Sequence, residues 1–349
     1  MPTTIRDVAK RAGVSVKTVS RVLNQEPMVN DNTRTRVEKV IAQLEYVPNI
    51  SAQRLARGRA KVIALLFDNV SQTYLNDVLK GCFQEARETG FGVLTYPCDV
   101  QKIQDRQAIL QLAAQRRVDG FIFTPPCDNV VELLQDLTRL NVPFVRLSPR
   151  NHRLPYPHVR IRDYESAISL TEYLITLGHR CIGFIMGSQD HSASEARLDG
   201  FRDALKKHKI QLDEKLVCSG DWTFAAGMTG ARKLLGCETR PTAIFASNDD
   251  IAAGVLFTAH QLGIRVPNQL TVTGFDDVPL AQQVWPPLTT MRQPILQIAQ
   301  MATHLLTDLI KKHPVKTVHY DLPTELVIRE SSARAPDIPE KQTVKKKSR

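Results

Sequence analysis

Residues 4–24, TIRDVAKRAGVSVKTVSRVLN, decide the fold of the amino-terminal part of the chain. Thr4 and Asp7 have the spacing of a capping box, which predicts the start of a helix. Gly13 is expected to stop that helix. The residues between them form an apolar stripe at helical spacing, made up of Ile5, Val8, Ala9 and Ala12.

A second helix is predicted to follow at once, because Ser15 can cap it and apolar residues recur behind it at Val16, Val19 and Leu23. A third helix is predicted for residues 32–44, with one apolar face formed by Val37, Val40, Ile41 and Leu44. Two short helices joined by a tight turn make a helix-turn-helix. The alternative is a small helical bundle that does not bind DNA.

Charge is distributed unevenly over the 349 residues, whose net charge is +10. Residues 1–61 carry +7 and residues 329–349 carry +4, whereas the middle of the chain carries −1. A basic segment favours a polyanionic partner, most often nucleic acid. The alternative is a solvated surface that aids solubility. The length predicts two or three domains.

The remaining composition indicates a cytoplasmic protein. The sequence starts MPTTIRDVAK, without an apolar signal region, and no apolar run approaches membrane-spanning length, so no membrane partner is expected. The cysteines show no C-x-x-C pair, and we expect them to be reduced, with many of them buried. We expect no cofactor and no metal site. The six cysteines are Cys82, Cys98, Cys127, Cys181, Cys218 and Cys237.

In a helix-turn-helix the second helix enters the major groove, and its early, outward residues face base edges. The predicted base-reading residues are Val16, Lys17 and Arg21. Lys17 and Arg21 can donate to guanine, and Val16 can pack on a thymine methyl group. Other polar residues are candidates for phosphate contacts, which position the protein without specifying sequence: Thr4, Ser15, Thr18, Ser20, Asn24, Asn30 and Thr33.

Residues 4–24 closely resemble, without gaps, the head of the LacI/GalR family of bacterial repressors. The resemblance implies a transcriptional repressor of carbohydrate-use genes that acts in the cytoplasm on the nucleoid. It also implies a homodimer on a near-palindromic, double-stranded operator, switched allosterically by a small, sugar-like effector. Purines and nucleosides are effectors of other members, so a purine- or nucleoside-responsive regulator remains an alternative.

A short helix is predicted for residues 50–57, after Pro48 and Asn49. Two turns of helix are marginal in water, so this segment should fold only when something holds it. The resemblance identifies it as the family's hinge helix, which enters the minor groove through Asn49, Ala52 and Leu55. Leu55 would wedge between bases. The alternative is that Leu55 is an ordinary core leucine.

From residue 62 onward, apolar runs alternate with helical stretches such as 74–89 and 128–140. This alternation predicts parallel sheets wound into two lobes. The sequence contains no G-x-G-x-x-G or Walker loop, so neither a dinucleotide nor a nucleoside triphosphate is indicated. The predicted strands are 62–67, 93–96, 120–124, 143–147, 181–186, 216–218, 243–247 and 270–274.

Ligands of such sheets bind beyond the carboxyl ends of the strands. Asn248 and Asp276 follow two of these runs, and with Arg197 they supply the donors and acceptors that a polyol needs. Trp222 offers a flat apolar face for a sugar ring. The alternatives are that Asp276 caps a helix, Asn248 serves a turn and Trp222 belongs to the core.

The resemblance continues through this body, which in the family is like a periplasmic sugar-binding protein. The motifs that carry it are 178–180 (GHR), 197–201 (RLDGF), 247–250 (SNDD), 274–277 (GFDD) and 287–290 (PLTT). It implies that the effector is bound by Arg197, Trp222, Asn248, Asp276, Gln293 and Tyr74. Ser148 stands where some members have an acidic residue, and Arg146 or Arg150 beside it leaves an anionic ligand as an alternative.

The predicted fold is therefore a small all-α helix-turn-helix head and an α/β two-lobed, periplasmic-binding-protein-like core with parallel sheets. The predicted segments are the DNA-binding domain, 1–47, a hinge, 48–60, the core, 61–331, and a disordered basic tail, 332–349. The N-lobe is expected at 61–161 and 292–320, and the C-lobe at 162–291 and 321–331.

Two other classes of protein are less well supported. The core alone would suit a solute-binding protein, but the missing signal peptide and the basic head argue against it. An enzyme is not expected, because the sequence shows no nucleophile–base arrangement, metal set or phosphate loop. The tail lacks leucine heptads, which predicts dimers rather than tetramers.

Overall fold

A computed structural model describes residues 3–23, 25–46, 60–68 and 71–336. The chain divides into two compact units, Met1–Ala60 and Lys61–Arg349. We call them the head and the core. Within the described residues, no helix is long and apolar enough to cross a membrane.

The head contains three helices, α1 (Ile5–Ala12), α2 (Val16–Leu23) and α3 (Asp31–Gln43). The predicted capping box is present, since the Asp7 amide donates to Thr4 Oγ1 at 3.4 Å and the Thr4 amide donates to the Asp7 carboxylate at 2.9 Å. Gly13 ends α1 in the left-handed conformation, with φ of 62°. These elements confirm the helix-turn-helix.

Each helix of the head contributes a fully buried valine to one small core: Val8 from α1, Val19 from α2 and Val37 from α3. Val22 is also buried, whereas Val16 is 41% exposed. The buried face of α2 is therefore rotated relative to the predicted stripe of Val16, Val19 and Leu23. The rotation leaves an apolar side chain on the outside of the helix, where it gains nothing from the core.

The core consists of two six-stranded sheets, which define the N-lobe and the C-lobe. The N-lobe sheet has the order β11-β5-β4-β3-β1-β2, and all its strands are parallel. Its strands are β1 (Val62–Phe67), β2 (Gly92–Pro97), β3 (Gly120–Phe123), β4 (Phe144–Leu147), β5 (His158–Ile161) and β11 (His319–Leu322).

The C-lobe sheet has the order β12-β10-β9-β8-β6-β7, and β12 alone among these pairs is antiparallel. Its strands are β6 (Ile182–Ile185), β7 (Val217–Cys218), β8 (Ala243–Ala246), β9 (Thr271–Asp276), β10 (Thr289–Arg292) and β12 (Glu325–Val327). The strands β3, β4, β6, β8 and β9 are buried along their length, as parallel strands covered on both faces by helices should be.

Nine helices are described in the core. They are α4 (Gln72–Thr89), α5 (Ile103–Ala114), α6 (Val131–Arg139), α7 (Asp163–Thr176), α8 (Ser192–Lys207), α9 (Phe224–Leu235), α10 (Asp249–Gln261), α11 (Leu280–Gln283) and α12 (Ile295–Lys311). The chain passes between the sheets after β5, after β10 and after β11, and α12 packs against α4 and the N-lobe strands. These elements confirm the two-lobed α/β fold.

Candidate functional site

The six residues predicted to bind an effector line one cavity in the core, between the two lobes. Asn248 follows β8 and Asp276 ends β9, so both lie at the carboxyl edge of the C-lobe sheet. The space between these side chains, including the part open to solvent, is about 500 Å³. The other predicted residues that line it are Arg197, Trp222, Gln293 and Tyr74.

Arg197 is the centre of a buried polar network and is only 3% exposed. Its Nε donates to Asp163 Oδ1 at 2.8 Å, and its Nη1 donates to the Ser247 carbonyl oxygen. Its Nη1 also lies 3.8 Å from Asp276 Oδ1. The guanidinium stacks over the Phe275 ring, 3.5 Å from the centroid. The positive charge is thus matched by two carboxylates inside the protein.

Burial raises the pKa of Asp276 well above its usual range, while Arg197 and a hydrogen bond from Gln293 Nε2 act in the opposite direction. The pKa of the neighbouring Asp249 is also raised, first by burial and then by Asp276. Asp249 binds the Thr290 hydroxyl at 2.6 Å and the Val278 amide at 2.9 Å. We therefore assign Asp249 to the support of the strand ends and Asp276 to the cavity wall.

Trp222 presents an unused hydrogen-bond donor. Its Nε1 is buried and has no hydrogen-bond partner among the described residues, which is uncommon for a buried indole. The ring faces His191, with 5.6 Å between centroids. Gly187 makes room for the ring, because a Cβ at that position would overlap the indole. A ligand that supplies an acceptor would satisfy this donor.

Three cavity-lining residues have the left-handed backbone that non-glycine residues seldom adopt: Ser148 at φ 42°, Trp222 at φ 70° and Asp276 at φ 113°. Such conformations cost free energy and concentrate at functional sites, where the surrounding structure holds them in place. Fold stability alone does not require three such residues around one cavity, so their presence there supports a role of the cavity in binding.

Six further residues line the cavity without having been predicted: Ser71, Pro125, Ser148, Asp163, His191 and Ala193. Burial lowers the pKa of His191 to about 4, so its imidazole is neutral at physiological pH. Asp163 follows β5, and the rule of strand carboxyl ends would have found it had β5 been predicted. His191 lies in the irregular segment between β6 and α8, where no pattern of the sequence marks it.

Hydrogen bonds join the lobes around the cavity. Ser71 Oγ donates to Asp250 Oδ2 at 2.7 Å, and Asn129 Nδ2 donates to the Asp190 carbonyl oxygen at 2.9 Å. Ser192 Oγ donates to the Ser148 carbonyl oxygen at 3.2 Å. An ion pair of 2.9 Å links Arg150 with Glu195. These contacts hold the two walls of the cavity together.

Arg146 and Arg150, the candidates for binding an anionic ligand, do not line this cavity. Arg146 is fully buried and pairs with Asp128, whereas Arg150 forms an exposed ion pair with Glu195. No group of three or more His, Cys, Asp or Glu side chains in the described ranges could hold a metal ion.

In the head, Val16 and Lys17 are exposed at the start of α2, and Arg21 is half-buried with its Nε 3.6 Å from Glu26. Thr18 and Ser20 lie on the same helix, and Thr33 lies on α3; all three are half-buried. Four residues predicted to contact DNA lie outside the described residues: Asn24, Asn49, Ala52 and Leu55.

Three of the predicted phosphate contacts also cap helices. Thr4 caps α1 and Asn30 caps α3, the latter accepting from the Asn32 amide at 2.9 Å. Ser15 Oγ accepts from the Thr18 amide at 3.1 Å at the start of α2. A cap exposed at a helix N-terminus lies where backbone amides attract anions, so the two roles are compatible.

Comparison with known proteins extends over almost the whole chain. The family model for bacterial regulatory proteins of the lacI family matches residues 4–49, and a periplasmic binding protein-like domain matches residues 171–332. The ribose operon repressor of Halalkalibacterium halodurans is 35% identical over 332 residues, which cover 95% of this chain and 97% of that repressor.

The HTH-type transcriptional regulator DegA of Bacillus subtilis is 32% identical over 335 residues, covering 95% of this chain and 99% of DegA. A crystal structure of the lac repressor dimer bound to operator and the anti-inducer ONPF superposes with a TM-score of 0.84 at 28% identity, covering 95% of this chain and all of that one. Proteins of this family are DNA-binding regulators rather than enzymes. The chain therefore belongs to the lacI family of bacterial regulatory proteins and is a DNA-binding transcriptional regulator.

Proposed function

We propose that the cavity between the lobes binds a neutral, hydroxyl-rich small molecule, either a sugar or a nucleoside, and that this ligand changes the affinity of the head for its operator. The observation that carries the proposal is the convergence of Arg197, Asp276, Asn248 and Trp222 on one cavity. Vicinal hydroxyls can accept from the guanidinium and donate to the carboxylate. The Trp222 ring supplies an apolar face and an unused donor.

Charge favours a neutral ligand over an anionic one. The guanidinium of Arg197 is balanced by Asp163 and Asp276, and the low pKa of His191 leaves its imidazole uncharged. A phosphate group would therefore enter the cavity without an unpaired cation to meet it. The relative named as a ribose operon repressor agrees with a sugar.

The switch is a population shift between lobe arrangements, and it requires a ligand that binds one arrangement more tightly than the other. The polar contacts that join the lobes, such as Ser71–Asp250, are the bonds that such a shift would exchange. We propose that the regulator acts as a homodimer on a near-palindromic operator. The site of action is the nucleoid, in the cytoplasm.

For the DNA contacts we propose Val16, Lys17 and Arg21 as base-reading residues and Leu55 as the minor-groove wedge, with Asn49 and Ala52 beside it. The proposed phosphate contacts remain Thr4, Ser15, Thr18, Ser20, Asn24, Asn30 and Thr33. We also propose a division of the chain into a DNA-binding domain (1–47), a hinge (48–60), an effector-binding domain (61–331) and a basic tail (332–349).

Selection of bound sequences from a random duplex pool, at a stated salt concentration, tests the DNA-binding part. We expect a near-palindromic motif. Lys17→Ala should relax the base preference at one position of each half-site, whereas Lys39→Ala, an equal charge change on α3, should keep the motif. An unchanged motif for the Lys17 variant would remove Lys17 from the base-reading set.

Leu55→Ala tests the hinge assignment. It should weaken operator binding and leave ligand binding to the core unchanged, because the wedge acts only on DNA. Operator affinity is measured by gel shift on the selected duplex. The same affinity for wild type and variant would contradict the wedge.

Thermal unfolding in the presence of D-ribose, cytidine and ribose 5-phosphate tests the ligand class. A ligand at 100 times its Kd stabilises the folded protein by about 2.7 kcal/mol. We expect a neutral compound to raise the Tm of the wild type but not that of Asn248→Ala, and to change the gel shift on the selected duplex. A shift produced by the phosphate ester alone would contradict the neutral assignment.

A further inference from the structure

Arg146 on β4 is fully buried, although sequence reasoning places it among candidate ligand contacts. Its guanidinium donates to three carbonyl oxygens of the segment that follows β4: Asn151 at 3.0 Å, Leu154 at 3.4 Å and Tyr156 at 3.3 Å. It also lies 3.5 Å from Asp128 Oδ2. One side chain thus ties together two separate parts of the N-lobe.

The two parts are loops that we call the cleft loops: residues 124–130, after β3, and residues 148–157, after β4. Each reaches the opposite lobe. The first lines the cavity with Pro125 and bonds the C-lobe through Asn129. The second lines the cavity with Ser148 and reaches the C-lobe through Ser148 and Arg150. Three of the four polar contacts between lobes described above therefore come from loops that Arg146 joins.

Packing alone does not account for an arginine at this position. Burying a charged pair has a desolvation cost that the attraction within the pair often fails to offset. Here Arg146 Nε and Asp128 Oδ1 have no hydrogen-bond partner within the described part of the chain, which adds to the cost. An apolar side chain of similar size could fill the space. It could not bind three carbonyl groups of one loop and a carboxylate of another.

We propose that Arg146 is a positioning residue for the effector cleft: its guanidinium holds both cleft loops in the arrangement that meets the C-lobe. It acts through the loops and touches no part of the cavity. The inference rests on the proposed function only in naming this cavity as the effector site. The ordering of the loops can be tested without any effector.

Hydrogen exchange of the full chain, followed by mass spectrometry, tests the ordering directly. Arg146→Lys keeps the charge but loses the planar fork of donors, and Arg146→Met keeps the length without the charge. At a pH above the pKa of Asp128, we expect the non-proline amides of residues 150–156 to exchange about tenfold faster or more in both variants, the factor expected for loss of one charged hydrogen bond. Amides of β1 and β8 should keep their wild-type rates.

The matched control is Arg153→Met, which removes an arginine of the cleft loop 148–157 whose side chain is exposed to solvent. Its loop amides should exchange at the wild-type rate. If Arg146→Lys also exchanges at the wild-type rate, the positioning role is wrong. Should Arg146→Met fail to fold, the lysine variant still decides the question.

A pH profile separates this role from general stability. Burial raises the pKa of Asp128 to about 6, and Arg146 opposes the rise. Removing the cation should raise this pKa further. Asp128 then binds a proton more tightly when the loop is ordered than when it is open. In Arg146→Met, protection of the loop amides from exchange should therefore be present at low pH and lost as the pH rises through the raised pKa of Asp128.

Other titratable groups lie near Arg146 and Asp128 and could also give a pH effect. Burial lowers the pKa of His158 to about 4 and also lowers the pKa of His152. The hydrogen bond with Cys98 and burial raise the pKa of Cys127, whose neighbours include Asp68. Tyr156 also faces the pair, with its ring under the Arg146 guanidinium. If Asp128 is the source of the pH effect, the double variant Asp128→Asn/Arg146→Met should show amide exchange protection that does not change with pH. A pH dependence that persists in the double variant would contradict the assignment to Asp128.

The fluorescence of Trp222 tests whether the order of the cleft loops affects the cavity. The chain has two tryptophans, and Trp285 is 87% exposed, so Trp285→Phe leaves Trp222 as the reporter. In that background, acrylamide should quench Trp222 about twofold or more strongly when Arg146 is lysine, since weaker contacts between lobes admit the quencher more often. Faster loop exchange with unchanged quenching would overturn the link to the cleft. It would leave the proposed effector site untouched.

Discussion

At the scale of single residues, Asn248 serves the fold and the proposed site at once. Its Oδ1 accepts from the Ile251 amide at 2.8 Å and so caps α10, and its Nδ2 donates to the Trp222 carbonyl oxygen at 3.1 Å. The second bond fixes the backbone of a residue held at positive φ. A helix cap thereby places the indole in the cavity. From sequence, the alternative to ligand binding for Asn248 was a role in a turn; the structure shows a helix cap instead, and its contacts make capping and ligand binding compatible.

Arg197→Lys tests the central network. The lysine keeps the charge but loses the separate bonds to Asp163 and to the Ser247 carbonyl, so we expect unfolding free energy to fall by about 1.5–3 kcal/mol. The response of operator binding to the ligand should be lost as well. Chemical denaturation and gel shifts measure the two effects.

Arg202→Lys is the control for this change, because Arg202 lies on the same helix but forms an exposed pair with Glu214. It should cost at most about 1 kcal/mol. Equal losses for the two substitutions would argue against a special role of Arg197.

Asp276→Asn tests the raised pKa of Asp276. A carboxyl group whose pKa is higher in the folded protein stabilises the fold at low pH, and that contribution is lost as pH rises from the unfolded pKa to the folded one. We expect the free energy of unfolding of wild type, relative to the Asn variant, to fall as pH rises from about 4. Denaturant titrations at a series of pH values measure the difference.

Asp321→Asn should show the opposite sign. Burial acts to raise the pKa of Asp321, but the hydrogen bond and charge of Arg160, together with Arg162, lower it overall. Its contribution is therefore present above the unfolded pKa and lost as pH falls. The difference in unfolding free energy between wild type and Asp321→Asn should change with pH. If the corresponding difference for Asp276→Asn does not change with pH, the pKa of the Asp276 carboxyl group is not raised.

At the scale of elements, the helix starts in the head combine capping with proposed DNA contact. Asn30→Asp separates the two roles at α3. Aspartate is as good a cap as asparagine, and its charge suits a helix N-terminus, so head stability should be kept. A phosphate nearby would be repelled, so operator affinity should fall. Gel shifts and hydrogen exchange of the α3 amides measure the pair of effects.

Asn30→Ala is the companion variant. It should lose about 1 kcal/mol of stability together with the cap and should also bind the operator more weakly. If Asn30→Asp binds operator as tightly as wild type, Asn30 caps α3 without contacting a phosphate.

At the scale of the whole molecule, the core exposes a pair of aromatic rings that a dimer would cover. Phe224 on α9 and Phe257 on α10 are 41% and 42% exposed, and their ring centroids lie 5.6 Å apart. Exposed aromatic pairs are typical of protein–protein surfaces. Phe257→Glu should therefore shift the protein from dimer to monomer in sedimentation velocity experiments and weaken operator binding.

Leu140→Glu is the control, since Leu140 is 46% exposed at the end of α6 in the other lobe. It should leave the sedimentation coefficient unchanged. A Phe257→Glu protein that sediments as a dimer would place the subunit contact elsewhere.

Local patterns of the sequence determined the helix-turn-helix, the alternation of strands and helices, and many element boundaries. The capping box of Thr4 and Asp7 was predicted residue by residue, because capping depends on neighbours within one turn. The helix predicted at 74–89 is found at Gln72–Thr89. The edge strands His319–Leu322 and Glu325–Val327 were not predicted, because they are short and largely exposed and carry no apolar pattern.

The tertiary structure decided what lies around the cavity and which arginine faces it. Asp163 and His191 reach Arg197 and Trp222 only because the lobes and loops bring together residues far apart in the chain. Arg146 has the sequence features of a ligand contact, yet it is buried because loops that fold over β4 supply its acceptors. Periodicity and capping are local and can be read from sequence, whereas burial and charge pairing depend on contacts between distant segments.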